Sequence, residues 1–415
     1  MAVQSINVKN LFGSFDYTIV LHKKPNITLL TGANGSGKTV ILQMVNELLN
    51  KSYHFSVLKR VPFESLEVVL DSGQSIRVTK ELRASETTKY NRLTFRYTDV
   101  GTKISKKFHL DSHLSYTLED IPGWFQRLKL FFLPPTEYID NERPFHKPTL
   151  VFGEPTDDSH ERILAVNLYA QQLTVIMEKE LASYSERAQR LDSTFPIRML
   201  EQTMERIPSD EELFQHFNAI KRKRTELRKA GIFDHQADVH LPEVLSIEAG
   251  KRAVLFLYLQ DVLEKLEYLE PLRKRISLFT DIINRRFLNK KLNIDRKKGF
   301  FFTTLDGAKI ANECLSAGEQ NLVILLYELM FKTVDGCLIM IDEPEMSLHR
   351  SWQQAFLADL ELILQITNFD IIIATHSYDL TNGSEHLCHH LQEEKTVVTL
   401  SGQAEEVAMP SSVKS

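Results

Sequence analysis

Near the start of the chain, apolar and polar residues alternate with a period of two, the pattern of a half-buried strand. Phe15, Tyr17 and Ile19 alternate with polar neighbours, and a turn at Gly13-Ser14 separates them from an earlier apolar segment. Between about residues 61 and 110 the same period recurs in short segments with turn residues between them. These segments predict an antiparallel meander over residues 66–70, 74–78, 93–97 and 104–110.

A short, continuous apolar run follows at residues 128–133 and predicts a buried strand. It stops at Pro134-Pro135, because proline lacks the N–H that a central strand needs. The polar, proline-punctuated stretch that continues to about residue 160 is either an ordered loop at a binding site or a hinge into the next region.

From about residue 160 to 288 the apolar period becomes helical. A capping-box sequence from Ser209 to Glu212 predicts the start of a second helix, Pro242 the first turn of a third, and Pro271 the interruption before a fourth. A helix of roughly 25 residues spans only about 38 Å. The middle of the chain therefore predicts a short helical, coiled-coil-like arm.

Composition and charge restrict the class of protein. The chain has 415 residues, of which 25% are charged and 43% hydrophobic, and these values are ordinary for a globular protein. The three cysteines lack disulfide-framework spacing, and neither a signal peptide nor a membrane-length apolar run is present. We therefore expect a cytoplasmic protein that does not contact a membrane.

The formal net charge is −5, so any contact with a polyanion must be local. Basic residues concentrate in the middle of the chain, at Lys221–Arg224 and between residues 271 and 298. Each cluster is either a solvated helix face or a site for DNA or an acidic protein.

The chemistry-bearing pattern nearest the N-terminus is Gly32-Ala33-Asn34-Gly35-Ser36-Gly37-Lys38-Thr39, a complete GxxxxGK[ST] loop. It lies between an apolar run and a helix-period run, the context in which such a loop binds phosphate. Glycines let backbone N–H groups reach phosphate oxygens, and the following helix start favours negative charge. The predicted nucleotide-binding residues are Asn34, Gly35, Ser36, Gly37, Lys38 and Thr39; the Thr39 hydroxyl is also a predicted magnesium ligand.

Two apolar runs near the C-terminus end in polar residues. Residues 337–341 lead into Asp342-Glu343-Pro344, in which Asp342 can hold magnesium and Glu343 can polarise a water. Residues 370–374 lead to His376, which the strand would place at its carboxyl end, where α/β sheets bind ligands. Before both, Leu315-Ser316-Ala317-Gly318-Glu319-Gln320 predicts a helix N-capped by Ser316.

Together, the phosphate loop, LSAGEQ, IDEPEMSLH and ATH resemble an ABC-type ATPase head of the SMC-like branch, which includes RecF and the OLD ATPases. The run 314–353 is similar to stand-alone ATPases of bacterial anti-phage defence, such as the PARIS and Septu ATPases. The resemblance covers roughly residues 1–140 and 290–385. It implies an α/β fold with a mixed sheet flanked by helices, an antiparallel side sheet and a helical insertion. The implied segments are 1–158 and 291–400 for the head, 159–290 for the arm and 401–415 for a flexible tail.

The resemblance also implies roles for individual residues. Lys38 and Thr39 would bind ATP and Mg2+, Asp342 would bind Mg2+, Glu343 would be the catalytic base and His376 the γ-phosphate sensor. Three residues of the LSAGEQ signature would contact ATP held by a second subunit, in a homodimer or a higher even-numbered oligomer: Ser316, Gly318 and Glu319. Residues 347–349 resemble the D-loop.

Other site positions stay open at the sequence level. Gln126 is either the Q-loop residue or an ordinary surface glutamine. Phe12, Phe15 and Tyr17 are either adenine-stacking or core residues.

The implied function is an ATP-hydrolysing, ATP-dimerised switch in anti-phage defence. Its arm would sense DNA or an acidic protein, and the switch would control a separate effector, expected to be a nuclease such as one of the Toprim class. The alternative is a RecF-like clamp of DNA recombination or repair. A transporter subunit fits less well, because the insertion is large. The sequence identifies neither trigger nor effector, nor an oligomer size beyond a dimer.

Overall fold

The structure is a computed structural model that describes residues 2–84, 89–114, 116–140, 165–201, 207–234 and 249–391. Its central element is a parallel sheet of five strands in the order β14-β3-β13-β12-β8. Strands β12 and β13 are buried at every position. Such continuous burial means that other elements cover both faces of the sheet. The strands are β3 (Ile27–Thr31), β8 (Thr136–Asp140), β12 (Cys337–Asp342), β13 (Phe369–Ala374) and β14 (Cys388–His390).

A six-stranded antiparallel sheet in the order β2-β1-β4-β5-β6-β7 lies beside the parallel one. Its strands alternate buried and more exposed residues, because one face packs on the core and the other faces solvent. The predicted meander is therefore confirmed. The strands are β1 (Val3–Leu11), β2 (Phe15–Val20), β4 (Ser65–Leu70), β5 (Gln74–Ala84), β6 (Lys89–Asp99) and β7 (Ile104–Asp111).

Helix α1 (Lys38–Leu49) packs between these two sheets. Its side chains Ile41 and Val45 share one apolar cluster with Ile6 of β1 and with Met340 and Ile372 of the parallel sheet. A short helix, α2 (Ser56–Arg60), follows it. The helix that begins at the phosphate loop is thus fixed by apolar contacts on two sides.

The opposite face of the parallel sheet packs on helices from the middle and the C-terminal part of the chain. Ile339 and Ile373 point to this side, into one cluster with Leu173, Phe279 and Tyr327. The helices are α4 (Ala165–Glu201), α5 (Asp210–Lys229), α6 (Ala249–Tyr268), α7 (Glu270–Arg286), α8 (Ala317–Tyr327), α9 (Arg350–Leu364) and α10 (Tyr378–Thr381). A small antiparallel sheet joins α7 to α8: β9 (Lys290–Asp295), β10 (Gly299–Thr304) and β11 (Lys309–Ile310).

The predicted capping box is present at the start of α5, where Ser209 accepts from the backbone N–H of Glu212. Pro271 lies in the first turn of α7, as expected. Helix α4 has 37 residues, or about 55 Å, so the expectation of helices of about 38 Å is wrong for it. Pro242 lies outside the described residues.

The predicted strand at residues 128–133 is wrong. The segment is helical: α3 (Gly123–Arg127) runs into a π-helical turn, Leu128–Phe132, and the strand β8 begins only after Pro134-Pro135. A short apolar run does not distinguish a strand from a buried helical turn. The helical turn allows Lys129 to point inward, where Nζ donates to the carbonyls of Glu47 and Ser52.

The predicted α/β fold class is confirmed, with parallel and antiparallel strands segregated into separate sheets. The domain boundaries stay predictions, and residues 401–415 lie outside the described part of the chain. None of the described helices combines the length and the apolar character needed to cross a membrane. The cytoplasmic location stays a prediction.

Candidate functional site

The phosphate loop connects the end of β3 to the start of α1 under tight steric constraints. Gly37 has φ 91°, and a Cβ there would lie 2.7 Å from Cδ2 of Leu11. A Cβ on Gly32 would lie 2.8 Å from the carbonyl oxygen of Leu391. Only glycine fits both positions, because the first requires a left-handed backbone and both lack room for a side chain.

The side chain of Lys38 is folded back into the loop. It is buried, and Nζ donates to the carbonyls of Gly32 at 3.0 Å and Ala33 at 3.2 Å. Burial lowers the pKa of Lys38, and the nearby Glu343 and other carboxylates oppose that shift. The hydroxyl of Ser36 is also buried and has no hydrogen-bond partner among the described residues. A buried ammonium beside an unpartnered hydroxyl donor suits a phosphate group.

Thr39 and Asp342 meet across two elements. The Thr39 hydroxyl donates to Oδ1 of Asp342 at 3.1 Å, and the Tyr138 hydroxyl donates to Oδ2 at 3.1 Å. Asp342 ends β12, so its carboxylate lies at the same edge of the parallel sheet as the phosphate loop. Oxygen donors in this arrangement suit Mg2+, which is bound by one or two carboxylates together with phosphate oxygens and water, and in phosphate-loop proteins by a Ser or Thr hydroxyl as well.

Glu343 and His376 lie next to this pair. Glu343 adopts a left-handed conformation, with φ 48°, and its N–H donates to the carbonyl of Ala374 at 2.8 Å. A non-glycine residue held in this region stores strain, and such strain is common at functional sites. Nε2 of His376 lies 3.3 Å from Oε1 of Glu343, and Nδ1 lies 3.4 Å from Nζ of Lys38.

Glu345 is a residue of the site that the sequence analysis did not assign. Its Oε1 accepts from the Thr375 hydroxyl at 2.7 Å, the His376 N–H at 2.7 Å and the Ser377 N–H at 3.2 Å. One carboxylate oxygen therefore fixes the backbone that carries His376. The signal available in the sequence was a second glutamate two residues after Glu343.

Two cavities adjoin the phosphate loop. One, of about 340 Å³, is lined by Phe12, Lys38, Thr39, Glu343 and His376, together with loop residues. The other, of about 460 Å³, is lined by loop residues together with Phe15, Tyr17, His390 and Leu391. The first brings seven of the predicted residues around one space: Asn34, Gly35, Gly37, Lys38, Thr39, Glu343 and His376.

The aromatic candidates divide between these cavities. Phe12 lines the smaller one and is 40% exposed. Phe15 and Tyr17 stack on each other, with ring centroids 5.8 Å apart, and line the larger one. Tyr17 is buried, which agrees with its interpretation as a core residue.

One protein family matches most of this chain. The family described as "AAA ATPase domain" matches residues 1–381. The chain belongs to this family. Among curated proteins, no match was found.

Solved structures similar to this AAA ATPase domain protein include SMC heads. The head from Pyrococcus furiosus, with an extended coiled coil and bound to the C-terminal domain of ScpA, aligns with TM-score 0.38 and 14% identity, over 92% of this chain and 91% of that one. An SMC head bound to the C-winged helix domain of ScpA gives 0.38 and 12%, over 92% and 91%. The head from Thermotoga maritima gives 0.34 and 12%, over 94% of each chain.

The LSAGEQ signature of this AAA ATPase domain forms the start of α8, as predicted. The Ser316 hydroxyl accepts from the N–H of Glu319, and the Glu319 carboxylate accepts from the N–H of Ser316 and from Nζ of Lys290, both at 2.7 Å. In this chain Glu319 thus closes a capping box. Ser316, Gly318 and Glu319 do not line either of the two cavities that the structure describes at the phosphate loop.

Gln126 lies on α3, and its side-chain amide is hydrogen-bonded to the backbone of the preceding loop. Its Nε2 donates to the carbonyls of Leu118 at 2.9 Å and Ile121 at 2.8 Å, and it lines neither phosphate-loop cavity described here. These contacts agree with an ordinary glutamine that closes a loop.

Proposed function

We propose that the protein binds ATP with Mg2+ and hydrolyses it to ADP and phosphate. One observation carries the proposal: Lys38, Thr39, Asp342, Glu343 and His376 converge at the carboxyl ends of three neighbouring parallel strands. Membership of the AAA ATPase domain family supports it. Mg2+, held by Thr39 and Asp342, would neutralise charge on the phosphate oxygens.

The residues of this chain divide the chemistry between them. The backbone of the loop and the ammonium of Lys38 bind the phosphates and neutralise their charge. In hydrolysis, a water oxygen bonds to the γ-phosphorus while the bond from that phosphorus to the ADP oxygen breaks. Glu343 orients this water and takes its proton, and His376 holds the Glu343 carboxylate through the contact at 3.3 Å.

ATP also joins two copies of the chain in this proposal. Support comes from the position of Ser316 and Gly318, which begin α8 outside the cavities at their own phosphate loop. A helix N-terminus attracts phosphate. A second copy can bring its Ser316 and Gly318 to the ATP of the first, and a two-fold dimer then contains two equivalent sites.

We further infer that dimerisation controls a separate effector protein, a nuclease such as one of the Toprim class, in anti-phage defence. The similarity of residues 314–353 to the stand-alone defence ATPases supports this role. Cells that carry the gene with its neighbours, challenged with phage, should survive better than cells with the Lys38→Ala variant. Equal survival would argue against the defence role and would leave the ATPase proposal untouched.

The biochemical proposal is tested by measuring phosphate release and sedimentation of the same sample. Wild-type protein should release phosphate from ATP and should sediment as a dimer with ATP and Mg2+ but not with ADP, because only ATP offers a γ-phosphate to the second subunit. Lys38→Ala is the matched control and should do neither. Hydrolysis by a strict monomer would overturn the shared-site arrangement, and absence of nucleotide binding would overturn the whole proposal.

A further inference from the structure

The solvent-facing side of the antiparallel sheet carries a row of three cations. Arg77 of β5 lies directly opposite Arg96 of β6, and Arg96 lies directly opposite Lys107 of β7. All three are exposed, whereas the residues that follow Arg77 and Lys107, namely Val78 and Phe108, are buried. We call Arg77, Arg96 and Lys107 the cationic strip.

The strip is unfavourable for folding. Directly opposite residues on antiparallel strands have Cβ atoms about 5 Å apart, and like charges there are destabilising. Glu67 of β4 lies opposite Arg77 and pairs with it, with Oε2 2.7 Å from Nη2. In the part of the chain that the structure describes, Arg96 and Lys107 form no ion pair and no side-chain hydrogen bond. Two cations therefore remain uncompensated.

The same sheet neutralises a cation elsewhere. Arg92 of β6 lies between Glu81 and Asp111 on the neighbouring strands. Its guanidinium donates to both carboxylate oxygens of Asp111, at 2.7 and 3.0 Å. The uncompensated row is thus a local feature and not a general property of this face.

Hydroxyl groups border the strip on both sides. One neighbouring row contains Ser75, Thr98 and Ser105. The other contains Thr79, Thr94 and His109, with the Thr94 hydroxyl 2.8 Å from Nδ1 of His109. With strands 4.7–4.9 Å apart, three strands span about 10 Å, and neighbouring rows are about 7 Å apart along a strand. Arg, Lys, Ser and Thr side chains are among the groups that contact nucleic-acid phosphates, and contacts to phosphates carry no sequence information.

The basic arm cluster has a different environment. Lys223 pairs with Glu267 at 2.5 Å, and Arg222 lies 3.9 Å from Glu226. These acidic neighbours offset part of the positive charge that the arm cluster could use to bind a polyanion. Lys221 and Arg224 have no ion-pair partner among the described residues, so what distinguishes the strip is its arrangement, with like charges directly opposite one another on three strands.

We propose that the cationic strip binds the sugar–phosphate backbone of a nucleic acid, with no preference for sequence. Arg96 and Lys107 supply the charge, and the hydroxyl rows donate hydrogen bonds to phosphate oxygens. The inference does not depend on ATP hydrolysis, because the strip lies on the face of the sheet away from α1 and the core.

The test uses the full chain and a fluorescent DNA duplex of about 20 base pairs. The strip variant combines Arg96→Gln with Lys107→Gln, and the matched control removes the same charge from the arm by Lys221→Gln with Arg222→Gln. Anisotropy titrations over a salt series give the affinity and its salt dependence. The strip variant should bind roughly tenfold or more weakly at low salt, and its log–log salt slope should be shallower by about 1.8, for two lost phosphate contacts. The arm control should bind as the wild type does.

Several results would overturn the proposal: no binding of the duplex by wild type, wild-type affinity in the strip variant, or equal losses in both variants, which would indicate net charge alone. Polyglutamate that competes as well as DNA at equal charge would identify an acidic protein as the partner instead. An RNA duplex of the same sequence shows which nucleic acid is preferred, and preference for either supports the inference.

The folding of the strip variant and its ATP hydrolysis are measured in separate experiments. Both strip positions are exposed, so the melting temperature of the variant should equal or exceed that of wild type, since like-charge repulsion is removed. Phosphate release in the absence of DNA should be unchanged. Loss of DNA binding with ATPase intact distinguishes the strip from the nucleotide site.

Discussion

Nε2 of His376 lies 3.3 Å from Oε1 of Glu343. The other ring nitrogen, Nδ1, lies 3.4 Å from Nζ of Lys38, which can only donate. A neutral imidazole with its proton on Nε2 satisfies both contacts, donating to the carboxylate and accepting from the ammonium. His376 thus connects the residue that would bind phosphate to the residue that would activate water.

Substitutions of Lys38 and Glu343 should have different effects, one on ATP binding and the other on hydrolysis. Lys38→Ala removes the ammonium from the loop and should abolish ATP binding. Glu343→Gln leaves Lys38, Thr39 and Asp342 in place, so it should bind ATP with near wild-type affinity but hydrolyse it at least roughly a hundredfold more slowly, because the base is lost. A fluorescent ATP analogue measures binding, and single-turnover phosphate release measures chemistry. Equal nucleotide affinity in wild type and Lys38→Ala would exclude the assigned loop.

Glu345 offers a test of positioning as distinct from direct chemistry. Glu345→Ala removes the acceptor for three donors on residues 375–377 and should release the His376 backbone. We expect kcat to fall roughly 10- to 100-fold, with KM changed less than about threefold, since misplacement by about 1 Å costs about that much. Glu345→Gln retains an acceptor oxygen and should recover much of the rate.

A purely structural role for Glu345 predicts another pattern. Glu345→Ala would then lower the melting temperature while leaving the kcat of the folded fraction unchanged, and Glu345→Gln would give no kinetic rescue. Active-site titration with a tight-binding nucleotide analogue supplies the folded fraction for both variants.

The pH dependence of stability should depend on a partly buried pair of carboxyl groups, Glu137 of β8 and Glu328. Burial, reinforced by the negative charge of Glu328, raises the pKa of Glu137 from 4.5 to about 7, and Lys332 opposes the shift. Tyr169 of α4 donates a hydrogen bond to Glu328, so the pair lies where the first arm helix meets the head. The folded protein therefore holds a proton that the unfolded chain releases.

Because the pKa of Glu137 is higher in the folded protein than in the unfolded chain, the stability of the fold should decrease as the pH rises. The stabilising contribution is fully present below about pH 4.5 and is lost as the pH rises through about 7. Between about pH 5 and pH 8, wild type should lose on the order of 2–3 kcal/mol that Glu137→Gln keeps. Urea unfolding at both pH values measures the difference. Glu361→Gln, at an exposed position, is the control, and parallel pH profiles for wild type and Glu137→Gln would contradict the assignment.

Local sequence patterns were enough to predict the parts of the site that lie at strand ends. Lys38 follows a buried strand and a glycine loop, and Asp342 and His376 follow two further apolar runs. Because the carboxyl ends of parallel strands meet at one edge of a sheet, these residues were expected to converge, and the structure brings them together.

Long-range pairing decided what the sequence did not reveal. Strand β8 contains Glu137 and Tyr138 and lacks an apolar run, and it is a strand because it pairs in parallel with β12. The cationic strip likewise exists only through the register of β5, β6 and β7. Period and propensity act over a few residues, so they predict neither a partner strand nor its register.

The shared site makes the sharpest prediction, because two inactive proteins should restore each other. Lys38→Ala disables the phosphate loop of its own subunit, and Ser316→Arg blocks the signature that its subunit presents to the other. In a mixed dimer, one composite site carries both lesions and the other carries neither, so mixing should restore part of the ATPase activity.

The measurement is phosphate release from each variant alone and from the mixture, with mixed dimers counted by two-colour labelling. Ser316 is also the N-cap of α8, so Ser316→Arg is expected to cost about 1 kcal/mol, and the melting temperature must show that the variant is folded. If the restored activity is proportional to the fraction of mixed dimers, each active ATP site must be completed by Ser316 of the second copy. A silent mixture in which mixed dimers form would mean either that the sites are not shared or that both must fire together. The pairing of Lys38→Ala with Glu343→Gln sets the background. In that mixed dimer one composite site lacks Lys38 and the other lacks Glu343, so the pair should stay inactive whether or not the sites are shared.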